Sequence, residues 1–223
     1  MPQGRPEDVA GQAFTQLGGR GPEDGRGMVR VNTPSELERS LGCAAADAAI
    51  RRLAACGIVL KWPVSIFVFE TVRTPHGTEA FGVYDPDGDI VRVTALSALV
   101  RLAAGTPYAA YSSTTLYKSV VAHETVHAVM QQNYLRKPSS RAAYEYPAYA
   151  IQMELLRLED GSEPASELFT ADDKLLLNDL ILGLNPYVFA ARAYRQLQRD
   201  GARCDTLHDA LEDRADFIVA LPY

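Results

Sequence analysis

The sequence His123-Glu124-Thr125-Val126-His127 places two imidazoles four residues apart, with a carboxylate beside the first. On an α-helix, residues four apart lie on one face, so both imidazoles can bind one metal ion from the same side. Glu124 would then lie next to that metal, where its carboxylate can accept a proton from metal-bound water. The run therefore predicts a metal site that can activate water for hydrolysis.

The residues around this run predict a helix that is buried on nearly all sides. Leu116, Val120 and Met130 share the helical spacing of the two His residues, and other apolar residues cover the remaining faces. Ser112 and Ser113 can cap its start. Buried His and Glu side chains need polar partners or a metal. The alternative interpretation is a pair of core histidines that form an ion pair with a Glu.

A catalytic zinc ion has three protein ligands and one open position, so a third ligand must follow. Glu145 lies 18 positions after His127. This distance allows the first helix to end near Tyr134, turn, and start a second helix capped by Ser139 or Ser140. Two antiparallel helices with a short turn would bring Glu145 back level with the His pair.

Pro147, two residues after Glu145, would remove a backbone N–H inside a helix. Either the second helix is bent beside Glu145, or it starts near Pro147 and Glu145 lies in its first turn. Glu154 and Glu159 are alternative third ligands two to four helical turns further along. We expect both of them to face solvent.

The H-E-x-x-H run followed by a Glu on the next helix resembles the gluzincin group of zinc hydrolases. The run from Glu145 to Tyr149 resembles the E-x-x-A-Y form of the Glu helix in minimal zincins. Residues 116–152 and 189–195 are similar to an uncharacterised bacterial family of small proteins proposed to be metallopeptidases. In larger gluzincins an Asp one turn after the Glu ligand supports a His, and here that position is Tyr149.

This resemblance implies an α+β fold of the minimal zincin type. A small, mostly antiparallel sheet would pack on the H-E-x-x-H helix, with a helical C-terminal half. The implied function is zinc-dependent hydrolysis of peptide bonds in a peptide or protein substrate. Zn²⁺ would be held by His123, His127 and Glu145, and Glu124 would act as general base. Our first candidate for the donor that binds the oxyanion is Tyr194, and the alternatives are His208, Tyr149 and Tyr187.

Outside this region, the pattern predicts one domain with a glycine-rich extension. Residues 1–30 lack sustained periodicity and predict a mobile tail, which leaves a single domain at 31–223. Turn residues between two β-rich runs predict a hairpin, and in the zincin layout one of its strands would offer its edge to an extended peptide. The expected strands are 64–70, which is central, 80–84 and 90–94; the expected further helices are 35–56, 170–182, 186–199 and 206–216.

Composition and charge restrict the possible partners. The net charge is −6 with a pI near 5.3, and no basic stripe with interleaved aromatics occurs, which excludes nucleic acid as an expected partner. No apolar run is long enough to span a bilayer. The first residues lack the apolar core of a signal peptide, although export is possible if a leader has been removed. The sequence leaves the oligomeric state open.

The three Cys residues predict neither a zinc cluster nor a disulfide. Cys43 and Cys56 lie 13 residues apart on one predicted helix. That separation is about 20 Å at 1.5 Å per residue, which is too long for a disulfide. We interpret both as small core residues and Cys204 as a lone thiol.

Two other functions use the same residues. The chain could be a binding or regulatory module that holds zinc structurally or holds none, but Glu124 would then have no catalytic role. It could also be a zinc hydrolase that acts on another amide or an ester, which would need the same site. The sequence does not distinguish these substrates.

Overall fold

The structure is a computed structural model that describes residues 27–161 and 177–214. These residues form an α+β fold, as predicted. The strands are β1 (Val29–Asn32), β2 (Val64–Phe69), β3 (Val72–Arg73), β4 (Glu79–Ala80), β5 (Gly82–Asp85) and β6 (Ile90–Thr94). The helices are α1 (Glu36–Ala54), α2 (Leu96–Ala103), α3 (Ser113–Gln131), α4 (Arg141–Asp160), α5 (Asp179–Leu184), α6 (Pro186–Asp200) and α7 (Asp205–Leu211).

The main sheet is mixed, so the prediction of a mostly antiparallel sheet is wrong. Its order is β1-β2-β6-β5; β1 and β6 both pair with β2 in parallel, and only β5 and β6 are antiparallel. The parallel pair β1–β2 arises because α1 crosses between the two strands, and a crossover is the connection that parallel strands need. The expectation that residues 64–70 form a central strand is confirmed.

The predicted hairpin is present, and it defines one edge of the sheet. β5 and β6 are joined by a turn in which Asp89 adopts a positive φ of 47° and accepts a hydrogen bond from the Tyr84 hydroxyl at 2.7 Å. Because β6 pairs with β2 on its other side, β5 is the edge strand. The sequence left open whether residues 80–84 or 90–94 would form this edge.

Helix α3 is the centre of the fold. Ser112 caps it by accepting a hydrogen bond from the Thr115 N–H, as predicted. It packs against α1 and α4 and also contacts β5 and β6. Its residues from Ser119 to Met130 are all buried, which confirms the prediction of a helix enclosed on nearly all sides.

Helix α4 returns antiparallel to α3 after a short turn. Ser140 caps it through the Ala143 N–H at 3.0 Å, and the helix ends at Gly161, which has a positive φ of 71°. Pro147 lies inside the helix, so the alternative in which the helix starts near Pro147 is wrong. Glu145 therefore lies in the second turn of α4.

The ends of the described segments differ from the predicted boundaries. β1 includes Val29 and Arg30, so the last two residues of the predicted tail belong to the sheet; residues 1–26 lie outside the described residues. The start of the predicted helix 170–182 also lies outside the described residues. Near its predicted end, the structure has α5. Asn185 caps α6 as predicted, whereas α2 and a 3-10 helix at Pro107–Ala110 were not predicted. In the described part of the chain, no helix combines the length and apolarity needed to cross a membrane.

The cysteine prediction is wrong at Cys43 and Cys204, whereas the predicted place of Cys56 in the core is confirmed. Cys56 and Cys204 form a disulfide with their Cα atoms 5.8 Å apart, and Cys43 is a free, exposed thiol. The argument from helical spacing excluded only a disulfide between Cys43 and Cys56, and it did not address pairs that include Cys204. The disulfide instead links the end of α1 to the start of α7, across 148 residues of sequence.

Removing this disulfide should destabilise the fold without changing the metal site. We expect the double substitution Cys56→Ser and Cys204→Ser to lower the free energy of unfolding by about 2–5 kcal/mol, because the bond closes a long loop in the unfolded chain. Urea unfolding followed by circular dichroism measures this. Cys43→Ser is the matched control and should leave the unfolding midpoint in place, and an equal loss in both variants would refute the expected effect.

Candidate metal centre

Three ligand atoms from α3 and α4 converge on one point. The Nε2 atoms of His123 and His127 lie 3.1 Å apart, and each lies 3.5 Å from Oε2 of Glu145. Among the described residues, these three side chains form the group that could hold a metal ion. The His pair shares one face of α3 as predicted, and the turn into α4 brings Glu145 opposite that face.

These distances fit the donor set of a tetrahedral zinc ion. Ligand atoms about 2.0–2.2 Å from such an ion lie about 3.3–3.6 Å from one another. The two separations of 3.5 Å fall within this range, and the separation of 3.1 Å between the imidazoles lies slightly below it. The alternative ligands lie elsewhere and already form ion pairs. Glu154 pairs with Arg52 at 2.8 Å, and Glu159 pairs with Lys118 at 2.6 Å. Glu145 is therefore the residue whose position fits a third ligand.

A residue that the sequence did not identify orients His123. Nδ1 of His123 lies 2.9 Å from Oε1 of Gln152, and Nε2 of Gln152 donates to the Ser119 hydroxyl at 3.3 Å. Because an amide oxygen only accepts, Nδ1 carries the proton and Nε2 is left free to bind a metal. Gln152 lies two turns after Glu145 on the same face of α4. This spacing is the sequence signal that could have identified it as a neighbour of the His pair.

Aromatic rings enclose the two imidazoles. Tyr144 stacks on His127 with ring centroids 4.4 Å apart, and Tyr149 contacts His123 edge to face at 4.7 Å. Tyr146, which lies between these two tyrosines in the sequence, is instead fully buried in the core. The site therefore has an apolar wall on the side of α4.

Glu124 lies between the edge strand β5 and the ligand cluster, which is the group of His123, His127 and Glu145. A Cβ atom on Gly82 of β5 would come within 2.6 Å of the Glu124 Cγ and within 2.8 Å of its Oε1. The backbone N–H of Tyr84 donates a hydrogen bond to the same carboxylate. Gly82 therefore allows the strand to approach the carboxylate, and a glycine within a strand is the sequence signal for such an approach.

Burial and neighbouring charges shift the pKa values of the acidic groups in opposite directions. Burial raises the pKa of the Glu124 carboxyl, although both imidazoles oppose this shift. For Glu145, burial also raises the pKa, but its contacts with the two His side chains outweigh burial and hold the pKa well below its usual range. A cation bound at the site would lower the pKa of both carboxyls.

Residues 29–220 match the model of a family of unknown function, DUF6639. The chain belongs to the DUF6639 family. The family description assigns no activity, and the match is not to a zincin or peptidase family. No curated protein and no solved structure matches the chain.

The ligand cluster of this DUF6639 protein lies at a cavity of about 350 Å³. β5 contributes Gly82, Val83 and Tyr84 to the cavity lining, and α4 contributes residues between Arg141 and Gln152. Glu124 lines the cavity together with the three ligand residues. The cavity therefore brings together the ligands, the carboxylate and the strand edge that the sequence predicted.

Of the four candidates for the oxyanion donor, Tyr149 is the one that lines this cavity. The Tyr194 hydroxyl accepts hydrogen bonds from Arg157 at 2.6 Å and Gln198 at 2.8 Å, and Tyr194 is not among the residues that line the cavity. His208 bonds the Cys56 carbonyl oxygen at 2.9 Å. Tyr187 packs against Tyr108. A catalytic role for Tyr194 stays a prediction without support from its position, and Tyr149, which lines the cavity, is better placed.

The bond between Gln152 and His123 leads to a testable difference in zinc affinity. We expect Gln152→Met, which keeps the side-chain volume but removes the acceptor, to weaken zinc binding by about 10–100-fold. Gln152→Glu retains an acceptor for Nδ1 and should bind zinc at least as tightly as the unmodified protein. Competition with a chromophoric chelator measures both constants. Equal affinity in the Met and Glu variants would show that Gln152 does not support His123.

Proposed function

We propose that this DUF6639 protein is a zinc-dependent peptidase. The observation that carries the proposal is the convergence of His123, His127 and Glu145 at 3.1–3.5 Å, beside a buried Glu124 that faces the same cavity. A pair of core histidines that forms an ion pair with a Glu would explain His123, His127 and Glu145. It would not explain a second buried carboxylate, that of Glu124, at the same cavity. The proposal includes the minimal zincin architecture, with α3 beneath a sheet whose edge borders the cavity.

Zinc, when bound to these three side chains, would act as a Lewis acid and lower the pKa of a water molecule at its open position. Glu124 is placed to accept the proton of the attacking water and to pass it to the leaving amine. Its position beside Gly82 and its hydrogen bond from the Tyr84 N–H fix the carboxylate against the strand. Tyr149 can donate a hydrogen bond to the oxyanion of the substrate.

The edge strand supports an extended peptide as the substrate. The Thr94 N–H donates to the Phe81 carbonyl oxygen, so by the alternation of an antiparallel ladder the polar groups of Gly82 and Tyr84 face away from β6. The Tyr84 N–H is used by Glu124, which leaves both groups of Gly82 and the Tyr84 carbonyl on the cavity side. An extended chain can pair with such an edge.

Digestion of a mixed peptide library tests the proposal. We expect the zinc-loaded protein to cleave peptides, and a chelator to abolish the cleavage. No cleavage by a folded, zinc-loaded sample would favour a module that only binds zinc. Cleavage of small amides or esters alone would favour a hydrolase that does not act on peptides.

A further inference from the structure

Arg141 places a positive charge at the rim of the cavity. It is the first residue of α4, its side chain is 74% exposed, and it is the one Lys or Arg among the described residues that line the cavity. An arginine at this position has no role in the hydrolytic step proposed above. Its proximity to the ligand cluster suggests a role in binding the substrate.

The guanidinium and the ligand cluster lie on opposite sides of one carboxylate. Oε2 of Glu145 lies 3.5 Å from each imidazole, and Oε1 lies 4.0 Å from Nε of Arg141. At 4.0 Å the contact is an ion pair rather than a hydrogen bond. A guanidinium has five N–H donors in a planar arrangement that matches a carboxylate, so Arg141 can bind a second acceptor that enters the cavity.

Charge in the cavity favours an anion once zinc is present. The two charges of zinc balance those of Glu124 and Glu145, the neutral imidazoles add none, and Arg141 leaves a net positive charge. Glu145 would be committed to the metal, which weakens its attraction for the guanidinium. This step rests on the proposed zinc site.

We propose that Arg141 binds the C-terminal carboxylate of the substrate, so that the enzyme removes one or two residues from the C-terminus of peptides. Consecutive Cα atoms lie about 3.8 Å apart. A terminal carboxylate one or two residues beyond the scissile bond therefore lies about 4–8 Å from it, and the guanidinium is held near the ligand cluster because both contact the Glu145 carboxylate. In the reaction, water adds its hydroxyl to the carbonyl carbon, the C–N bond breaks, and the remaining proton goes to the leaving amine.

The test compares two forms of the same N-acylated peptide, one with a free C-terminal carboxylate and one with a C-terminal amide. We expect the zinc-loaded protein to prefer the free acid in kcat/KM by about 10–100-fold, the range of a charge-assisted hydrogen bond. Arg141→Gln should remove most of this preference through KM, and Arg141→Lys should restore part of it. Arg136→Gln, which changes an exposed arginine away from the cavity lining, is the matched control.

Binding provides a readout that does not depend on turnover. Calorimetry of the zinc-loaded Glu124→Gln variant should show tighter binding of the free acid than of the amide, and the added substitution Arg141→Gln should abolish the difference. Equal cleavage and equal binding of the two forms would overturn the role of Arg141. If Arg141→Gln instead weakens zinc binding and keeps the substrate preference, Arg141 positions Glu145. Failure of the proposed function is distinct, because neither peptide would then be cleaved.

Discussion

Glu124→Gln should retain zinc and lose hydrolysis by about 100-fold or more, the range of general-base catalysis. The reason is that Glu124 lies at the cavity beside the ligand cluster but is not one of its three converging ligands. Glutamine keeps the shape of the side chain and can still accept the Tyr84 N–H, but it does not take a proton from water. Zinc content by atomic absorption and the rate of peptide cleavage measure the two properties separately.

Glu159→Gln is the matched control, because Glu159 bonds Lys118 and is not among the cavity residues. That variant should retain both zinc and activity. If Glu124→Gln loses zinc, Glu124 is a ligand and the proposed division of roles is wrong.

His127→Ala should weaken zinc binding by more than about 100-fold, because the loss of a supporting residue alone costs about 10–100-fold. Two ligands would remain where a zinc site with an open position needs three. Zinc at 100 times its dissociation constant should stabilise the unmodified protein by about 2.7 kcal/mol, and this gain should disappear in the variant. Thermal unfolding with and without zinc measures the difference.

His208→Ala is the control for the loss of an imidazole. His208 bonds the Cys56 carbonyl oxygen far along the chain from the ligand pair and does not line the cavity. It should lower stability without changing the zinc affinity. A similar loss of zinc affinity in both variants would contradict the ligand assignment.

The helices that carry the site could be predicted because their signals are local. The spacing of the His pair, the caps at Ser112 and Ser140 and the length of the intervening turn depend on neighbouring residues. Together these signals predicted that Glu145 would lie opposite the His pair. Pro147 was the one local signal that pointed two ways, and α4 continues through it.

The features that were missed depend on contacts between distant parts of the chain. The parallel pairing of β2 with both neighbours follows from how α1 and the later hairpin pack, which strand patterns alone do not specify. The disulfide joins residues 148 positions apart. Gly82 of β5 lies against the Glu124 side chain of α3, and only the folded chain shows which glycine makes this contact.

Tyr194 shows the limit of selecting a residue from a similar run. Its helix α6 packs on α4. The side chain, however, is 3% exposed and its hydroxyl is engaged by Arg157 and Gln198. Helix position was predictable, but the direction of the side chain was not, and Tyr149 on α4 itself is closer to the ligands.

A crystal grown with one equivalent of zinc, with anomalous diffraction recorded at the zinc edge, tests the metal centre most directly. We predict a single strong peak within about 2.0–2.2 Å of the Nε2 atoms of His123 and His127 and of a Glu145 carboxylate oxygen. A peak that lacks any of these three ligands, or no peak in the cavity of a folded protein, would contradict the zinc site on which the proposed function rests.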